Sequence, residues 1–429
     1  MPARNQAQEH CASYYAATAN EQTDYPVLRG SETSDICVVG GGFTGIATAL
    51  TLAEKGYSVA LVEANRVGWG ASGRNGGQII GGISGESKLL RRYGDGIADM
   101  LWDMHWRGND IIHERVQKYG IACDLKDGYI EVAIKRRHLD DLQEQYEEYQ
   151  AHDFPYGYRI LGREETQEVV GTDAYIGSML DRRNGHLHPL NLCIGEARAA
   201  AGLGVKIFEQ SPVIDIQHGK KPRVLTASGQ VEANTVVLAG NAYHALERRH
   251  LSGLTFPAGS YIIATEPLSA EMIQSINPLD LAVCDLNNVV DYFRLSADGR
   301  MLFGGRCNYS GREPRSIQAA MLPRMLKIYP QLKGIQIDYE WGGKIGVVVN
   351  RIPLLGRIGG NVYYCQGYSG HGVNATHVAG EIMADAITGT LERFDLFANS
   401  RHMRIPLGQW FGNQAVALGM LYYRLKDIL

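Results

Sequence analysis

Residues 34–63, SDICVVGGGFTGIATALTLAEKGYSVALVE, decide the fold class of this chain. A short apolar run at 36–39 leads into Gly40-x-Gly42-x-x-Gly45, and residues 46–55 have the apolar spacing of a helix that Gly56 closes. A second strand-like run follows at 57–63. This pattern predicts a β-turn-α-β unit of the Rossmann type.

The glycine-rich turn is typical of a dinucleotide site. Gly40 permits the tight turn, Gly42 lets the backbone approach a pyrophosphate, and Gly45 lets helix and strand pack closely. Free N–H groups and the positive end of the helix then favour phosphates. Glu63, 18 residues after Gly45, is placed to accept hydrogen bonds from a ribose and would repel a 2′-phosphate. The unit therefore favours FAD or NAD over NADP.

A second glycine-rich segment, GWGASGRNGGQ at 68–78, favours FAD over NAD. An NAD-binding domain has no general need for such a loop after the acidic strand, whereas a long dinucleotide with a tricyclic head does. We expect Ser72, Arg74 and Asn75 to donate to phosphate oxygens, and Gly76 and Gly77 to let backbone amides approach the flavin. The residues that we predict to bind the cofactor in these two segments are Gly40, Gly42, Phe43, Thr44, Gly45, Glu63, Ala71, Ser72, Arg74, Asn75, Gly76, Gly77 and Gln78.

A third segment, GYSGHGVN at 367–374, lies between a strand-like run and a helix-like run. We expect the N-terminus of this helix to point at the pyrimidine edge of the flavin, where negative charge develops on two-electron reduction. The candidate residues in this segment are Gly370, His371, Gly372, Val373 and Asn374.

The composition indicates a globular protein of two domains. The chain has 429 residues, is 45% hydrophobic and 21% charged, and has a net charge of −4. Its mixed charges argue against nucleic acid and anionic membranes as partners. The 7 cysteines form no C-x-x-C pair and the first residues lack a secretory signal, so we expect a cytoplasmic protein. His186 and His188 lack a third ligand at useful spacing, so we predict no metal site.

The order of strand-like and helix-like runs predicts an α/β fold. A discontinuous FAD-binding domain of the Rossmann type, similar to that of glutathione reductase, carries an inserted α+β substrate domain built on an antiparallel sheet. Residues 96–121 and 136–150 are predicted to be helical, and an apolar stripe at 410–429 predicts a terminal helix that docks on the body or on a partner subunit. The predicted parts are an N-terminal arm at 1–33, an FAD-binding domain at 34–95, 186–245 and 346–395, a substrate domain at 96–185 and 246–345, and a C-terminal docking helix at 396–429.

Four segments together resemble the D-amino-acid oxidase-like family of FAD-dependent oxidoreductases. They are DICVVGGGFTGIATAL, LVEANRVGWGASGRNGGQ, TVVLAGNAY and VYYCQGYSGHGVNATHVAGEIMADAITG. Within that family the chain looks most similar to the bacterial γ-glutamylputrescine oxidases. The resemblance implies that Val213 contacts the adenine and that Ala239 and Gly240 lie under the nucleotide. Some relatives attach the flavin through a cysteine near Pro353 or a histidine in the first loops; residues 347–357 and 69–78 contain neither, which implies non-covalent FAD.

The resemblance also implies a reaction: oxidation of the primary amine of a γ-glutamylated polyamine to an aldehyde, with ammonia and hydrogen peroxide released and molecular oxygen as the acceptor. No side-chain base is required, so none is assigned. A D-amino-acid, glycine or sarcosine oxidase or dehydrogenase, an NAD-dependent dehydrogenase and a non-catalytic flavin-binding protein remain alternatives. The sequence indicates no oligomeric state. The residues that we expect to contact the substrate are Tyr261, Tyr292, Arg294, Trp341, Lys344 and Arg351.

Overall fold

The computed structural model describes residues 8–308 and 313–405, together with Gln414. Its strands are β1 (Gly30–Val39), β2 (Val59–Val62), β3 (Gln78–Ile79), β4 (Lys126–Ala133), β5 (Tyr158–Leu161), β6 (Gly177–His186), β7 (Lys206–Phe208), β8 (Asp215–Gln217), β9 (Arg223–Leu225), β10 (Gly229–Leu238), β11 (Phe256–Pro267), β12 (Ala282–Asp285), β13 (Asp291–Leu295), β14 (Arg300–Asn308), β15 (Ile337–Val347), β16 (Leu354–Ile358) and β17 (Val362–Gln366). Its α-helices are α1 (Tyr14–Ala17), α2 (Phe43–Glu54), α3 (Glu86–Tyr93), α4 (Ala98–Tyr119), α5 (Arg136–Ala151), α6 (Arg163–Val170), α7 (Pro189–Gly202), α8 (Arg248–Leu251), α9 (Ala270–Ile276), α10 (Ile317–Ile328), α11 (Val373–Thr388) and α12 (Glu392–Ala398).

The first sheet has the strand order β16-β17-β10-β1-β2-β7, with β9 paired to β10 and β8 to β9. Strands β17, β10, β1, β2 and β7 run parallel, whereas β16 is antiparallel to β17. Side chains of β1 alternate between the two faces: Ile36 and Val38 pack with the helices, and Cys37 and Val39 pack on the side of β8 and β9. The predicted unit of β1, α2 and β2 is therefore confirmed.

A buried charged network ties together the helices that cover this sheet. Glu196 of α7 accepts a hydrogen bond from Arg115 of α4 at 2.9 Å and lies 3.2 Å from His377 of α11. Arg115 also donates to Thr51 of α2 at 2.9 Å. Burial alone would raise the pKa of Glu196, but His377 and Arg115 outweigh it and lower that pKa to about 2. The ionised carboxylate therefore holds α2, α4, α7 and α11 in one layer.

The second sheet has the order β15-β11-β14-β13-β12-β4-β6-β3, with β5 paired to β6. Its pairs are antiparallel except for β12 with β4. One face is covered by an apolar layer that includes Met321 and Met325 of α10 and Val169 of α6. The antiparallel sheet that we predicted is confirmed, and the helices predicted at 96–121 and 136–150 are α4 and α5.

Some elements differ from the expected boundaries. Helices are predicted to dominate residues 96–186, but β4, β5 and β6 also lie there. The sequence does not predict these three strands because their apolar runs are short and interrupted by polar residues. β1 begins at Gly30, inside the segment expected to form the N-terminal arm, and β3 extends the second sheet from within 34–95. The division into domains therefore stays a prediction.

The two ends of the chain are described to different extents. In the N-terminal arm, Tyr15 of α1 is completely buried, with its ring 5.2 Å from that of Trp341 and 4.9 Å from that of His188. The docking helix expected at 410–429 lies outside the described residues, apart from Gln414. Within the ranges that the structure describes, every helix is too short or too polar to cross a bilayer.

Candidate functional site

The carboxyl ends of β1, β2, β10 and β17 meet at one edge of the first sheet. The strands are parallel and in register there, with Val39 beside both Val62 and Leu238, and Leu238 beside Tyr364. Gly40, Glu63, Ala239 and Gly367 follow these strands at the same edge. Ligands of open α/β sheets bind outside the carboxyl ends of the strands, so this edge is the candidate site.

The turn at Gly40–Gly45 has no room for a side chain at its glycine positions. Gly40 has a φ of +116°, and a Cβ there would lie 2.9 Å from the carbonyl carbon of Ala239. A Cβ at Gly42 would lie 2.8 Å from the Ser72 hydroxyl, and one at Gly45 would overlap the carbonyl oxygen of Gly40. Within the described chain, no acceptor is found for the amides of Gly42 and Thr44. An open backbone with free N–H groups at a helix N-terminus fits the pyrophosphate of FAD.

Glu63 lies directly beside this turn. One carboxylate oxygen accepts a hydrogen bond from the amide of Gly41 at 2.6 Å, and the other accepts from the amide of Asn65 at 2.8 Å. Burial raises the pKa of Glu63, and these backbone hydrogen bonds act in the opposite direction. The carboxylate is thus oriented at the end of β2, where we predict the adenosine ribose of FAD.

The second glycine-rich segment is held in shape by its own side chains. Ser72 accepts from the amide of Phe43 at 2.9 Å, and the amide nitrogen of Asn75 donates to the carbonyls of Ala71 and Ser72 at 3.1 and 2.8 Å. The Asn75 oxygen accepts from the amide of Gly77 at 2.8 Å. These contacts join the segment to the Gly40–Gly45 turn and fix its curvature; donation by Ser72 and Asn75 to phosphate oxygens stays a prediction.

Arg294 of β13 holds the second glycine-rich segment in place through hydrogen bonds to backbone carbonyls. Its guanidinium donates to the carbonyls of Gly76 and Leu187, both at 2.7 Å, to that of Leu295 at 3.0 Å, and to the hydroxyl of Tyr15 at 3.2 Å. The residue is only 4% exposed. These contacts favour a positioning role over the substrate contact that we expected, because the donors already serve backbone carbonyls.

Trp341 and Arg74 form a second brace. The indole N–H of Trp341, 2% exposed, donates to the carbonyl of Arg74 at 3.0 Å. The Arg74 guanidinium lies 4.4 Å from the centre of the Trp69 ring and donates to the Trp69 carbonyl at 2.8 Å. Trp341, which we predict to contact the substrate, thus uses its indole N–H to hold the predicted flavin segment.

The remaining substrate candidates occupy different environments. Tyr261 is buried in the apolar layer between the second sheet and α10. Tyr292 lies against the cofactor loop, since a Cβ at Gly76 would overlap its ring. Lys344 and Arg351 have exposed side chains, and neither forms an ion pair with any described residue. Of these four, Tyr292 is thus the one that the structure brings to the flavin segment.

The third segment turns sharply before α11. Gly367 has a φ of +82°, and its amide donates to the side chain of Asn241 at 3.0 Å. Nε2 of His371 lies 2.8 Å from the carbonyl of Gly81 and donates to it; burial lowers the pKa of His371 and favours the neutral ring. The helix N-cap, Gly372, has no side-chain hydrogen bond, which leaves the first amides of α11 available. Asn374 instead donates to the carbonyl of His105 and the side chain of Asn109.

The other predicted cofactor contacts also lie at this edge. The amide of Ala239 donates to the carbonyl of Val39 at 2.8 Å, and Gly240 is the N-cap of the 3₁₀ turn Asn241–Tyr243. Val213 packs at the rim of the apolar layer beside β8. Asn241 was missed in the sequence; its φ of +47°, a conformation that asparagine tolerates, becomes evident only in the structure.

His186 and His188, which we considered as a metal pair, have structural contacts. Nδ1 of His188 accepts from the amide of Asn191 and caps α7, and Nε2 of His186 lies 2.8 Å from the carbonyl of Asp280.

Comparisons with known proteins place the chain in a family. The model of the DAO family, FAD-dependent oxidoreductases, matches residues 35–386. The chain belongs to this family. It is an enzyme that depends on FAD and acts on CH–NH bonds of amines or amino acids.

Individual relatives share most of the length. Gamma-glutamylputrescine oxidoreductase of Escherichia coli (strain K12) is 43% identical over 426 residues, which cover 98% of this chain and 99% of that protein. The "Probable oxidoreductase OrdL" of Haemophilus influenzae is 41% identical over 434 residues, with 98% of each chain covered. The crystal structure of glycine oxidase from Geobacillus kaustophilus has the same fold, with a TM-score of 0.70, 21% identity, and 87% of this chain and 100% of that chain covered.

We predict that the flavin is released on acid precipitation and stays in the supernatant. The segments that would supply an attachment residue lack a cysteine or histidine, and Cys365, next to the third segment, is fully buried with its sulfur 3.0 Å from the Tyr368 hydroxyl. The measurement is the flavin absorbance of pellet and supernatant. Colour that stays with the denatured protein would show a covalent bond.

Proposed function

We propose that the chain oxidises the primary amine of a γ-glutamylated polyamine of the γ-glutamylputrescine type. The observation that carries the proposal is the 43% identity to the E. coli oxidoreductase of that name, over nearly the full length of both proteins. Such similarity extends through the FAD-binding segments and the second sheet alike. It supports a shared class of substrate in addition to a shared cofactor.

The proposed reaction is RCH₂NH₂ + O₂ + H₂O → RCHO + NH₃ + H₂O₂. The chemistry that FAD supplies when bound is the two-electron oxidation of the carbon–nitrogen bond. The amine loses two hydrogens to give an imine, which water hydrolyses to the aldehyde and ammonia, while oxygen takes up the two electrons and two protons. The protein has to bind the neutral amine, since a protonated amine is a poor donor, and has to orient its carbon toward the flavin.

The described residues support the proposal that FAD supplies the oxidation and the protein binds and orients the amine. The first and third glycine-rich segments leave backbone amides free for the cofactor. Arg294 and Trp341 hold the second segment in place through the carbonyls of Gly76 and Arg74. Tyr292 then forms an aromatic wall beside Gly76 for the alkyl chain of the substrate. For the carboxylate of the glutamyl group, we propose Arg351, whose side chain is exposed.

The test is anaerobic reduction of the bound flavin in a stopped-flow spectrometer. We expect γ-glutamylputrescine to bleach the flavin within seconds, and NADH and NADPH to do so far more slowly, because the chain has one G-x-G-x-x-G between a strand and a helix. In air, the same amine should yield hydrogen peroxide in a peroxidase-coupled assay, together with an aldehyde.

Glycine, sarcosine, D-alanine and free putrescine serve as comparison substrates. Faster bleaching by an amino acid than by γ-glutamylputrescine would reassign the substrate class. Flavin reduction without peroxide in air would assign a dehydrogenase that uses another acceptor. Rapid reduction by a pyridine nucleotide, with no response to any amine, would refute the proposed reaction.

A further inference from the structure

A row of side chains crosses the second sheet and ends at the flavin segment. In register, Glu131 of β4 lies beside Cys284 of β12, Cys284 beside Tyr292 of β13, and Tyr292 beside Gly304 of β14. Residues paired in this way project from the same face. Tyr129, Cys284 and Tyr292 indeed share one small apolar cluster. Glu131 is therefore on the face that carries Tyr292, the residue in contact with Gly76.

The opposite face of the same strands is occupied by the core. Ile130 and Val132, the neighbours of Glu131 along β4, pack there with Val283 and Phe293. Since side chains alternate along a strand, Glu131 is turned away from that core. β4 and β13 are separated by β12, so the backbones of Glu131 and Tyr292 are roughly 10 Å apart. Glu131 is thus close to the candidate site but too remote for the reacting carbon.

Glu131 is the acidic side chain on this part of the sheet without a strong partner. Asp181 accepts from the amides of Arg183 and Asn184, Asp285 from Asn287, and Asp291 from Arg324 at 2.8 Å. Among the described residues, Glu131 accepts one long hydrogen bond, 3.5 Å, from the Tyr129 hydroxyl, and no described cation pairs with it.

A carboxylate in this position is costly unless a cation joins it. Burial, and next the carboxylate of Asp181, raises the pKa of Glu131 to about 7. The Glu131 side chain is half-buried. Its charge has therefore lost part of its hydration, and a bound cation would compensate for that loss. Glu131 therefore has the chemistry of a receptor for a cationic group that arrives with a ligand.

Aromatic side chains pack around the register partner of Glu131, on the same face of the sheet. Met179 of β6, the register partner of Glu131, packs with Trp106, Tyr149 and Phe154. Trp102 joins them with its ring 5.9 Å from that of Trp106. Aromatic faces attract ammonium groups and accommodate alkyl chains. This face of the sheet thus combines a carboxylate that has no cationic partner with a cluster of aromatic side chains, as recognition of an alkylammonium ion requires.

We infer that Glu131 is a specificity-determining residue that binds the α-ammonium group at the glutamyl end of the substrate. The inference rests on the proposed function, which places the neutral amine of the polyamine beside Gly76 and Tyr292. A γ-glutamylated diamine carries its α-ammonium group at the end remote from the oxidised amine. Glu131 and Tyr292 lie apart on one face of the sheet, which matches that arrangement. Glu131 would bind the α-ammonium group, and Tyr292 would contact the end of the substrate that is oxidised.

The test compares two substrates with Glu131→Gln and wild type. γ-Glutamylputrescine has the α-ammonium group; glutarylputrescine has the same chain and carboxylate without it. For wild type, we expect kcat/KM to be at least about tenfold higher with γ-glutamylputrescine, the effect of one hydrogen bond between charged groups. Glu131→Gln should remove this preference through a higher KM for γ-glutamylputrescine, with glutarylputrescine changed by less than about threefold.

Glu144→Gln, an exposed position on α5, is the matched control and should keep the wild-type preference. Flavin absorbance and the midpoint of thermal unfolding verify that Glu131→Gln is folded and loaded. An unchanged preference in Glu131→Gln, or equal losses with both substrates, would overturn the inference while the proposed function stands. Oxidation of neither substrate by the wild-type protein would refute the proposed function, and the assignment of Glu131 with it.

Discussion

Arg294→Met is expected to unfold at a lower temperature and to lose its flavin more easily than the wild-type protein. The substitution leaves the carbonyls of Gly76, Leu187 and Leu295 without their buried donor, and the Tyr15 hydroxyl without its partner. Each buried acceptor left unpaired costs on the order of 1–3 kcal/mol, so we expect a loss of about 3 kcal/mol or more in the free energy of unfolding. Because Gly76 belongs to the flavin segment, the affinity for FAD should fall by at least about tenfold.

The measurements are denaturant unfolding of the apoprotein and fluorescence titration with FAD. The matched control is Arg198→Met. Arg198 lies on α7 and forms an exposed ion pair with Glu21, so its loss should change the free energy of unfolding by less than about 0.5 kcal/mol. A positioning role and a substrate-binding role for Arg294 predict opposite effects on stability and on the KM for the amine. A variant with wild-type stability and flavin affinity, but a raised KM for the amine, would assign Arg294 to the substrate carboxylate.

Gly45→Ala is expected to reduce the affinity for FAD by about a hundredfold or more, equivalent to roughly 3 kcal/mol. The added Cβ would overlap the carbonyl oxygen of Gly40 and would approach a methyl carbon of Val38 to 3.3 Å. Neither group can move freely, since Gly40 is part of the turn and Val38 is buried in β1. Helix α2 must therefore shift away from β1, and its free amides move with it.

FAD titration and thermal unfolding of the apoprotein measure this effect. Gly202→Ala, at the last residue of α7, is the matched control: its Cβ would meet no atom within 4 Å, and its φ is not positive. We expect that variant to match the wild type or to be slightly more stable, because alanine loses less entropy in a helix than glycine does. Wild-type FAD affinity in Gly45→Ala would remove the turn from the cofactor site.

Several features could be predicted from local sequence because the physical constraint behind each is local. Gly40 needs its positive φ, and Gly45 its missing side chain, within a few residues of the strand and helix that they join. The strand and helix runs around them follow from apolar periodicity. The family resemblance added the reaction class, which periodicity alone does not contain.

The substrate side was less predictable, because its residues act through pairing between distant strands. Arg294 and Trp341 are cationic and aromatic residues in the inserted region, and these residue types suggested substrate contact. Their actual contacts, Gly76 and Arg74, lie more than 200 positions away in the chain. Glu131 was overlooked for the same reason, since its place beside Cys284 and Tyr292 depends on how β4, β12 and β13 pair.

By itself, the sequence determined the Rossmann-type unit, the cofactor class and the position of the glycine-rich segments, because backbone sterics and apolar periodicity act over short distances. Only the tertiary structure decided which polar side chains hold those segments in place and which carboxylate is left without a cationic partner. That distinction depends on strand register, and a shift of one residue would turn Glu131 into the core and Val132 toward the flavin segment.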